Sequence, residues 1–334
     1  MEHSIINSEL SREDIQPTKL IDAYLELLSS DIEKIIFSEE LFDRGCPTND
    51  ETKVVESFRK MGLKYNISET FGNIYISPRP SRDQLIDFYR QSEAREFWLA
   101  NILKKTMNLR KEKMFRPNLE WIQTFIQQYS GGSAKSIAEY YPNHWGYYSQ
   151  TMDSGLKWEY KLVEPLFLWE MAGIDSMKDH IFGSETEYEC DAVVLFEALD
   201  RSEDPAAVMN WVKNHLKDGG LCFITCLLSS GFEIQVLREF STILIPPERM
   251  NLFSAEGLIT FLEKTGGFEI IEFSTPGVLD IPDVVENMEQ VKENRFVEYL
   301  LGVRNEPELV DSFLKFLQSN RLSTFGRLVL RKII

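Results

Sequence analysis

Cysteine and histidine are scarce in this sequence, with four residues of each among 334. The cysteines, Cys46, Cys190, Cys222 and Cys226, lack the spacing of a disulfide framework, and three of them lie in apolar, strand-like stretches. Buried free cysteines are typical of reducing compartments, so we expect a cytoplasmic protein with reduced thiols. Glycine (18 residues) and proline (13 residues) are also few, which excludes collagen-like and low-complexity chains.

Positive charge is limited as well, because 36 basic residues face 53 acidic ones and the net charge is −17. Binding along a nucleic-acid backbone depends on clustered Lys and Arg, so we expect no nucleic-acid partner. No apolar run approaches the length of a bilayer span, and the polar N-terminus does not resemble a secretory signal. We therefore expect no membrane partner, whereas a small anionic substrate held by a few local cations is compatible with the sequence.

The composition is otherwise that of a globular protein, with 43% apolar residues and a length that suggests about two domains. Ser130-Gly131-Gly132-Ser133 is typical of a linker, so we predict domains over 1–130 and 131–334. The first domain is predicted to be helical with a small β segment at about 44–79. Its predicted helices cover 20–35, 81–89, 93–105 and 118–129.

Beyond the linker, strand-like and helix-like stretches alternate. CDAVVLFE (190–197) is a near-continuous apolar run, as expected for a strand buried on both faces of a parallel sheet. Asp204 and Pro205 supply an N-cap and a first-turn proline for a helix, and 221–228 is the next apolar run. This alternation predicts an α/β fold with a doubly wound sheet. The remaining predicted elements are strands over 158–164, 268–273 and 327–333 and a helical insertion over about 281–320.

Several segments together resemble the class I S-adenosylmethionine-dependent methyltransferases. The segments are CDAVVLFEALDRSEDP (190–205), LKDGGLCFIT (216–225), IPPERMNLFSAEGL (245–258), FEIIEFSTPGVLDI (268–281), FLQSNRLS (316–323), YISPRPS (75–81) and Phe115-Arg116-Pro117. The last four are similar to a subgroup found with bacterial surface-polysaccharide and sugar-modification genes. The resemblance implies a Rossmann-like, mostly parallel sheet with an antiparallel last strand, S-adenosylmethionine as cofactor, and a small substrate such as a nucleotide-linked sugar.

The resemblance also implies cofactor-binding residues at the carboxyl ends of the strands. Glu164 ends the second strand, where a carboxylate accepts both ribose hydroxyls, as in dinucleotide-binding folds. A solvated glutamate at a strand end is the alternative interpretation. Phe196, Glu197 and Ala198 border the methionine end of the cofactor, and Glu185 faces its adenine.

Catalytic and substrate-binding candidates follow from the same resemblance. Asp200 and Arg201 stand where relatives often carry Glu-His, although a solvated loop is an equal alternative for these two residues. Arg249, Asn251 and Phe253 fall in the loop that family members place over the substrate. An arginine at position 249 suits a phosphate or carboxylate, with a plain surface residue as the alternative.

The first α/β turn departs from the family, which opens it with acid-x-Gly-x-Gly so that the backbone can approach the cofactor. The matching stretch here is SIAEYYPNHWGYY (136–148), in which Glu139 stands for the opening acid, larger residues replace the small ones, and Gly146 is the remaining glycine. His144 is the one histidine of this loop and a candidate catalytic residue. Two hypotheses follow: an active methyltransferase with an altered loop, or an inactive descendant that binds another ligand or a protein partner.

A second departure removes the metal site of the N-terminal segment. Relatives carry two Cys-x-x-Cys pairs there, spaced for one tetrahedral zinc. This sequence keeps Cys46 but has Asn49 at the second position, and Thr70-Phe71-Gly72-Asn73 replaces the second pair. We therefore expect no zinc and no other metal site. An NAD(P)-dependent enzyme is a weaker alternative, since no G-x-G-x-x-G follows any predicted strand.

Overall fold

The computed structural model describes residues 10–48, 53–132, 134–142, 146–166, 181–291 and 294–333, and only the backbone of Gly146, Tyr148, Ser149 and Met152. The helices are α1 (Arg12–Ile15), α2 (Thr18–Ile35), α3 (Arg82–Gln91), α4 (Glu93–Phe97), α5 (Lys104–Arg110), α6 (Arg116–Ser130), α7 (Gly146–Asp153), α8 (Ala198–Arg201), α9 (Pro205–His215), α10 (Phe232–Leu237), α11 (Ala255–Thr265), α12 (Asp280–Glu286), α13 (Arg295–Val297) and α14 (Pro307–Ser319). The strands are β1 (Val54–Lys60), β2 (Leu63–Ser68), β3 (Ile74–Ile76), β4 (Ser136–Tyr140), β5 (Glu159–Val163), β6 (Ile181–Phe182), β7 (Cys190–Phe196), β8 (Leu216–Leu227), β9 (Asn251–Leu252), β10 (Phe268–Ser274) and β11 (Phe325–Lys332).

Seven strands form the central sheet in the order β10-β11-β8-β7-β4-β5-β6. Strands β8, β7, β4, β5 and β6 run parallel, whereas β11 is antiparallel to both β8 and β10. The prediction of a doubly wound, mostly parallel sheet with an antiparallel last strand is therefore confirmed.

The near-continuous apolar runs are explained by burial on both faces of this sheet. Along β7, Val193 and Leu195 enter one hydrophobic cluster, while Ala192 and Val194 enter the other. Because successive side chains of a strand point to opposite faces, a strand covered on both sides needs apolar residues at every position.

The N-terminal part contains the predicted helices and β ribbon, with one difference in the helices. We predicted separate helices over 93–105 and 118–129, but the chain is helical from Glu93 to Ser130 without a break. Two π-helical segments, Trp98–Leu103 and Lys111–Phe115, connect α4, α5 and α6. Gly131 ends α6 in the left-handed conformation (φ 57°), so the first linker glycine is also a helix cap.

Strands β1, β2 and β3 form an antiparallel ribbon that β9 extends to four strands. The pairing joins Leu252 to Ile74 and Asn251 to Tyr75, so a strand from the second predicted domain belongs to the sheet of the first. Beyond β10, helices α12 and α14 share a third hydrophobic cluster that includes Ile281 and Leu317. Within the described ranges, no helix has the length and apolar character needed to cross a membrane.

Candidate functional site

Two neighbouring turns at the carboxyl edge of the sheet have left-handed backbones. Tyr141 follows β4 with φ 61°, and Glu197 follows β7 with φ 56°. Non-glycine residues seldom adopt this conformation, so each turn must be held by its surroundings. The Tyr141 N–H donates to the Val163 carbonyl and the Glu197 N–H to the Thr225 carbonyl, both at 2.8 Å. Each turn is thereby fixed to the next strand of the sheet.

Arg201 connects these two turns. Its Nη2 donates to the carbonyl oxygens of Tyr141 (2.8 Å) and Phe196 (3.3 Å), and its Nε donates to that of Glu197 (3.3 Å). The Arg201 Cζ also lies 4.7 Å from the centroid of the Tyr141 ring, a cation–π contact. Arg201 is 4% exposed. The buried Arg201 side chain therefore holds the two turns together by hydrogen bonds to both.

The predicted acid of the first turn, Glu139, is engaged by the neighbouring strand. Its carboxylate accepts a hydrogen bond from the Tyr160 hydroxyl at 2.8 Å, and the residue is buried. Burial raises the pKa of Glu139 to about 7, because a charged carboxylate is poorly solvated there. Gly146 begins helix α7, and the candidate His144 lies outside the described residues.

Glu164 follows β5 and is buried at the same edge. Its Oε1 accepts a hydrogen bond from the Leu166 N–H at 2.9 Å. Burial raises the pKa of Glu164 to about 7, although nearby Arg201 and Arg95 favour the ionised form. A carboxyl group with this pKa is partly protonated at neutral pH, and such shifted pKa values are common at functional sites.

Glu164 lines a cavity of about 670 Å³ between the sheet edge and the N-terminal helices, here named the rim cavity. From the sheet edge it is also lined by Tyr141, Phe196, Glu197, Arg201 and Arg249, and from the helices by Tyr24, Tyr89, Arg95, Trp98 and Arg110. The N-terminal helices therefore form half of the enclosure. Phe196 is covered by the ring of Tyr147, whose centroid is 4.1 Å away.

A second cavity, of about 970 Å³, lies beside helix α9 and is named the α9 cavity. Ser184 and Glu185 line it together with Tyr140 and Trp211, whose ring centroids are 4.7 Å apart. Glu164 lines only the rim cavity, and Glu185 lines only the α9 cavity. Tyr141 lines both cavities.

The candidate substrate residues lie in different surroundings. Arg249 lines the rim cavity, but its guanidinium pairs with Glu197 (2.7 Å) and Asp200 (3.3 Å), which raises the pKa of Arg249. Asn251 is fully buried and donates to the carbonyl oxygens of Leu199 and Ser202. Phe253 is fully buried as well. Only Arg249 of these three candidates faces the cavity.

The catalytic candidate Asp200 is fully buried behind the rim turn. Its carboxylate accepts a hydrogen bond from the Leu227 N–H at 2.9 Å, and burial raises its pKa to about 7. Ala198, at the start of α8, is fully buried too. These residues support the turn from within the sheet.

The cavity residues of the N-terminal helices, and also Glu248, were not predicted from the sequence. The hydroxyl of Tyr89, on helix α3, hydrogen-bonds to Glu248 and is within hydrogen-bonding reach of the Tyr141 hydroxyl. Glu248 immediately precedes Arg249 and also lines the rim cavity. The position of Glu248 next to a candidate was a usable signal, whereas nothing local in the sequence marked Tyr89.

The N-terminal ribbon contains a polar cluster at the cysteine that the sequence retains. The Asn73 amide lies 3.5 Å from both the Cys46 sulfur and the Thr48 hydroxyl, and its oxygen accepts from the Ser254 N–H at 2.8 Å. In the described part of the chain, no three His, Cys, Asp or Glu residues are grouped so as to hold a metal.

Comparisons with known proteins return solved structures and a family model. Similar solved structures include the plantazolicin methyltransferase BpumL with SAH (10% identity, TM-score 0.43, 76% of this chain and 99% of that chain). They also include Haemonchus contortus phosphoethanolamine N-methyltransferase 2 with phosphomonomethylethanolamine and S-adenosylhomocysteine (14% identity, TM-score 0.45, 84% of this chain and 72% of that chain). No curated protein matches this chain significantly. The family model described as a methyltransferase domain matches residues 103–272, just over half of the sequence. The chain therefore belongs to the methyltransferase-domain family.

Proposed function

We propose that this protein is an S-adenosylmethionine-dependent methyltransferase that acts on a small molecule in the rim cavity. The observation that carries the proposal is a cavity of about 670 Å³ at the carboxyl edge of the parallel strands, with the buried Glu164 in its wall. Ligands of open α/β sheets bind at this edge, and pockets of this size suit small molecules.

The residues at the sheet edge fit the cofactor in two respects. Glu164 is a desolvated carboxyl that gains from hydroxyl donors such as those of a ribose, and Tyr141 keeps the left-handed backbone that a glycine would adopt. When bound, the cofactor supplies an electrophilic methyl group. In this proposal Phe196 and Glu197 border its methionine end, the buried Ala198 supports them from behind, and Glu185 faces its adenine.

The N-terminal helices orient the acceptor and exclude water. Tyr24, Tyr89 and Trp98 give their wall of the cavity an aromatic surface, while Arg95 and Arg110 bring positive charge to it. A nucleotide-linked sugar, which combines a planar base with phosphates, matches this wall, and the subgroup resemblance supports a role in surface-polysaccharide biosynthesis. Positioning in such an enclosure is itself a large part of catalysis.

The wider predictions belong to the same proposal. We place the protein in the cytoplasm, divide it into domains over 1–130 and 131–334, and assign it no zinc and no nucleic-acid partner. The hydrogen bonds that Cys46 makes with Thr48 and Asn73 support a ribbon held by polar contacts without a metal.

Calorimetric titration with S-adenosylhomocysteine tests the proposal. Glu164 must ionise to accept the ribose hydroxyls, and its pKa is about 7. Binding therefore releases a proton. As the pH is raised toward 7, the affinity should increase by up to about tenfold per pH unit, and above pH 7 it should become constant. The Glu164→Gln variant should bind at least tenfold more weakly at pH 8 and lose this pH dependence. Glu263→Gln, an exposed residue of helix α11 that lines neither cavity, is the matched control and should leave binding unchanged.

A second candidate function is a non-methylating descendant that uses the rim cavity for another ligand or for a protein partner. The observation in its favour is the Tyr141 ring, which fills the turn where the family has a small residue. If millimolar S-adenosylhomocysteine and S-adenosylmethionine give neither heat nor a thermal shift, while a nucleotide sugar does, this second function replaces the first.

A further inference from the structure

Tyr141 separates the two halves of the site. Glu164 lines only the rim cavity, Glu185 lines only the α9 cavity, and Tyr141 is part of both walls. Tyr141 therefore stands at the boundary that a ligand reaching Glu164 with a sugar and Glu185 with a base would have to cross.

The backbone of Tyr141 is anchored more firmly than its side chain. Its N–H and carbonyl are both hydrogen-bonded at 2.8 Å, to Val163 and Arg201. The side chain is held by the stack on the Arg201 guanidinium and by the hydrogen bond between the hydroxyls of Tyr141 and Tyr89. Rotation about the Tyr141 Cα–Cβ bond would move the ring and leave both backbone hydrogen bonds of the turn in place.

We propose that the side chain of Tyr141 is a gate between the rim cavity and the α9 cavity, and that it must rotate aside before a nucleoside cofactor can bind. This inference rests on the proposed function. With the gate closed, each cavity offers only part of a nucleoside site. With it open, the two cavities join over a backbone turn that already has the left-handed conformation. The apparent affinity is then reduced by the fraction of molecules in which the gate is open.

The test is calorimetric titration of the full chain with S-adenosylhomocysteine, which binds without turnover. Tyr141→Gly removes the ring and suits the left-handed backbone, so it should bind at least tenfold more tightly than the unaltered protein. Tyr141→Phe keeps the ring but loses the contact with Tyr89, so a rise of about threefold is expected. Met61→Gly is the matched control, because Met61 also has a left-handed backbone (φ 49°) but lies in the turn between β1 and β2. This variant should bind S-adenosylhomocysteine with the affinity of the unaltered protein.

The outcomes separate the gate from the proposed function. If the unaltered protein and both Tyr141 variants bind equally well, and Glu164→Gln abolishes binding, the gate is wrong and the function stands. If Tyr141→Gly does not fold, equal affinity of Tyr141→Phe and the unaltered protein overturns the gate. If no variant binds at millimolar concentration, the proposed function falls, and the gate falls with it.

Discussion

The turns after β4 and β7 have the same backbone conformation but use their side chains differently. Tyr141 places an aromatic ring between the two cavities, whereas Glu197 directs its carboxylate to Arg249. A left-handed non-glycine residue costs about 1–2 kcal/mol, and both turns rely on Arg201 for a carbonyl partner. The two turns thus share the path of the chain and differ in the groups that they present at the sheet edge.

The largest expected effect comes from removing the residue that both turns share. Arg201→Met should lower the free energy of unfolding by about 3–5 kcal/mol, since buried carbonyls and nearby carboxyl groups lose their partner. Urea denaturation followed by circular dichroism measures this change.

Arg95→Met is the matched control for that experiment. Arg95 also donates to a carbonyl, that of Tyr89, and its Cζ lies 5.6 Å from the Tyr89 ring centroid, but it supports no left-handed turn. A loss of about 1 kcal/mol is expected for the control. Equal losses in the two variants would show that Arg201 is an ordinary buried arginine.

A smaller effect concerns the acid that precedes the β4 turn. The pKa of Glu139 is raised to about 7, so the folded chain holds this proton more tightly than the unfolded chain. The resulting stabilisation is complete below the ordinary value of about 4.5 and is lost as the pH rises through about 7. Glu139→Gln keeps an acceptor for the Tyr160 hydroxyl and removes the ionisation.

Between pH 5 and pH 8, the unaltered protein should therefore lose about 2.5 kcal/mol more stability than Glu139→Gln. Urea denaturation at several pH values provides the measurement. The exposed Glu187→Gln serves as control and should follow the unaltered protein. Parallel pH profiles for the unaltered protein and Glu139→Gln contradict the prediction.

The smallest effect is expected at the second turn. Glu197→Gly relieves the left-handed strain but loses the ion pair with Arg249, so the net change should stay within about 1 kcal/mol. Glu197→Gln keeps the strain and loses the charge, and should be the less stable of the two variants. The reverse order in thermal unfolding would mean that the Glu197 backbone is not strained.

Much of the sheet could be predicted because its signals are local. The apolar run of β7 and the Asp204 cap of α9 each act within a few residues, and both lie where we predicted them. The continuous helix through residues 98–115 could not be predicted, because the π-helical turns depend on packing against other elements. Strand β8 begins at Leu216, five residues before the predicted apolar run over 221–228, and the added residues include a shift in its register with β7 that no local pattern indicates.

The site was predictable only in part, for a similar physical reason. Glu164, Phe196 and Glu197 meet at one edge because parallel strands carry their ends there, and strand order follows from the fold class. Other contacts of the site join residues that are far apart in the chain. They are the hydrogen bond of Tyr89 to Glu248, the ion pair of Arg249 with Asp200, and the bond of Arg201 to Tyr141. No periodicity or spacing encodes such contacts.

The short strand β9 has a mechanical consequence. Asn251 and Leu252 are paired with Tyr75 and Ile74, and they directly follow the loop that brings Glu248 to the cavity. A ligand that shifts this loop should also disturb the pairing of β9 with β3, so occupancy of the cavity should change the amide exchange of Ile74.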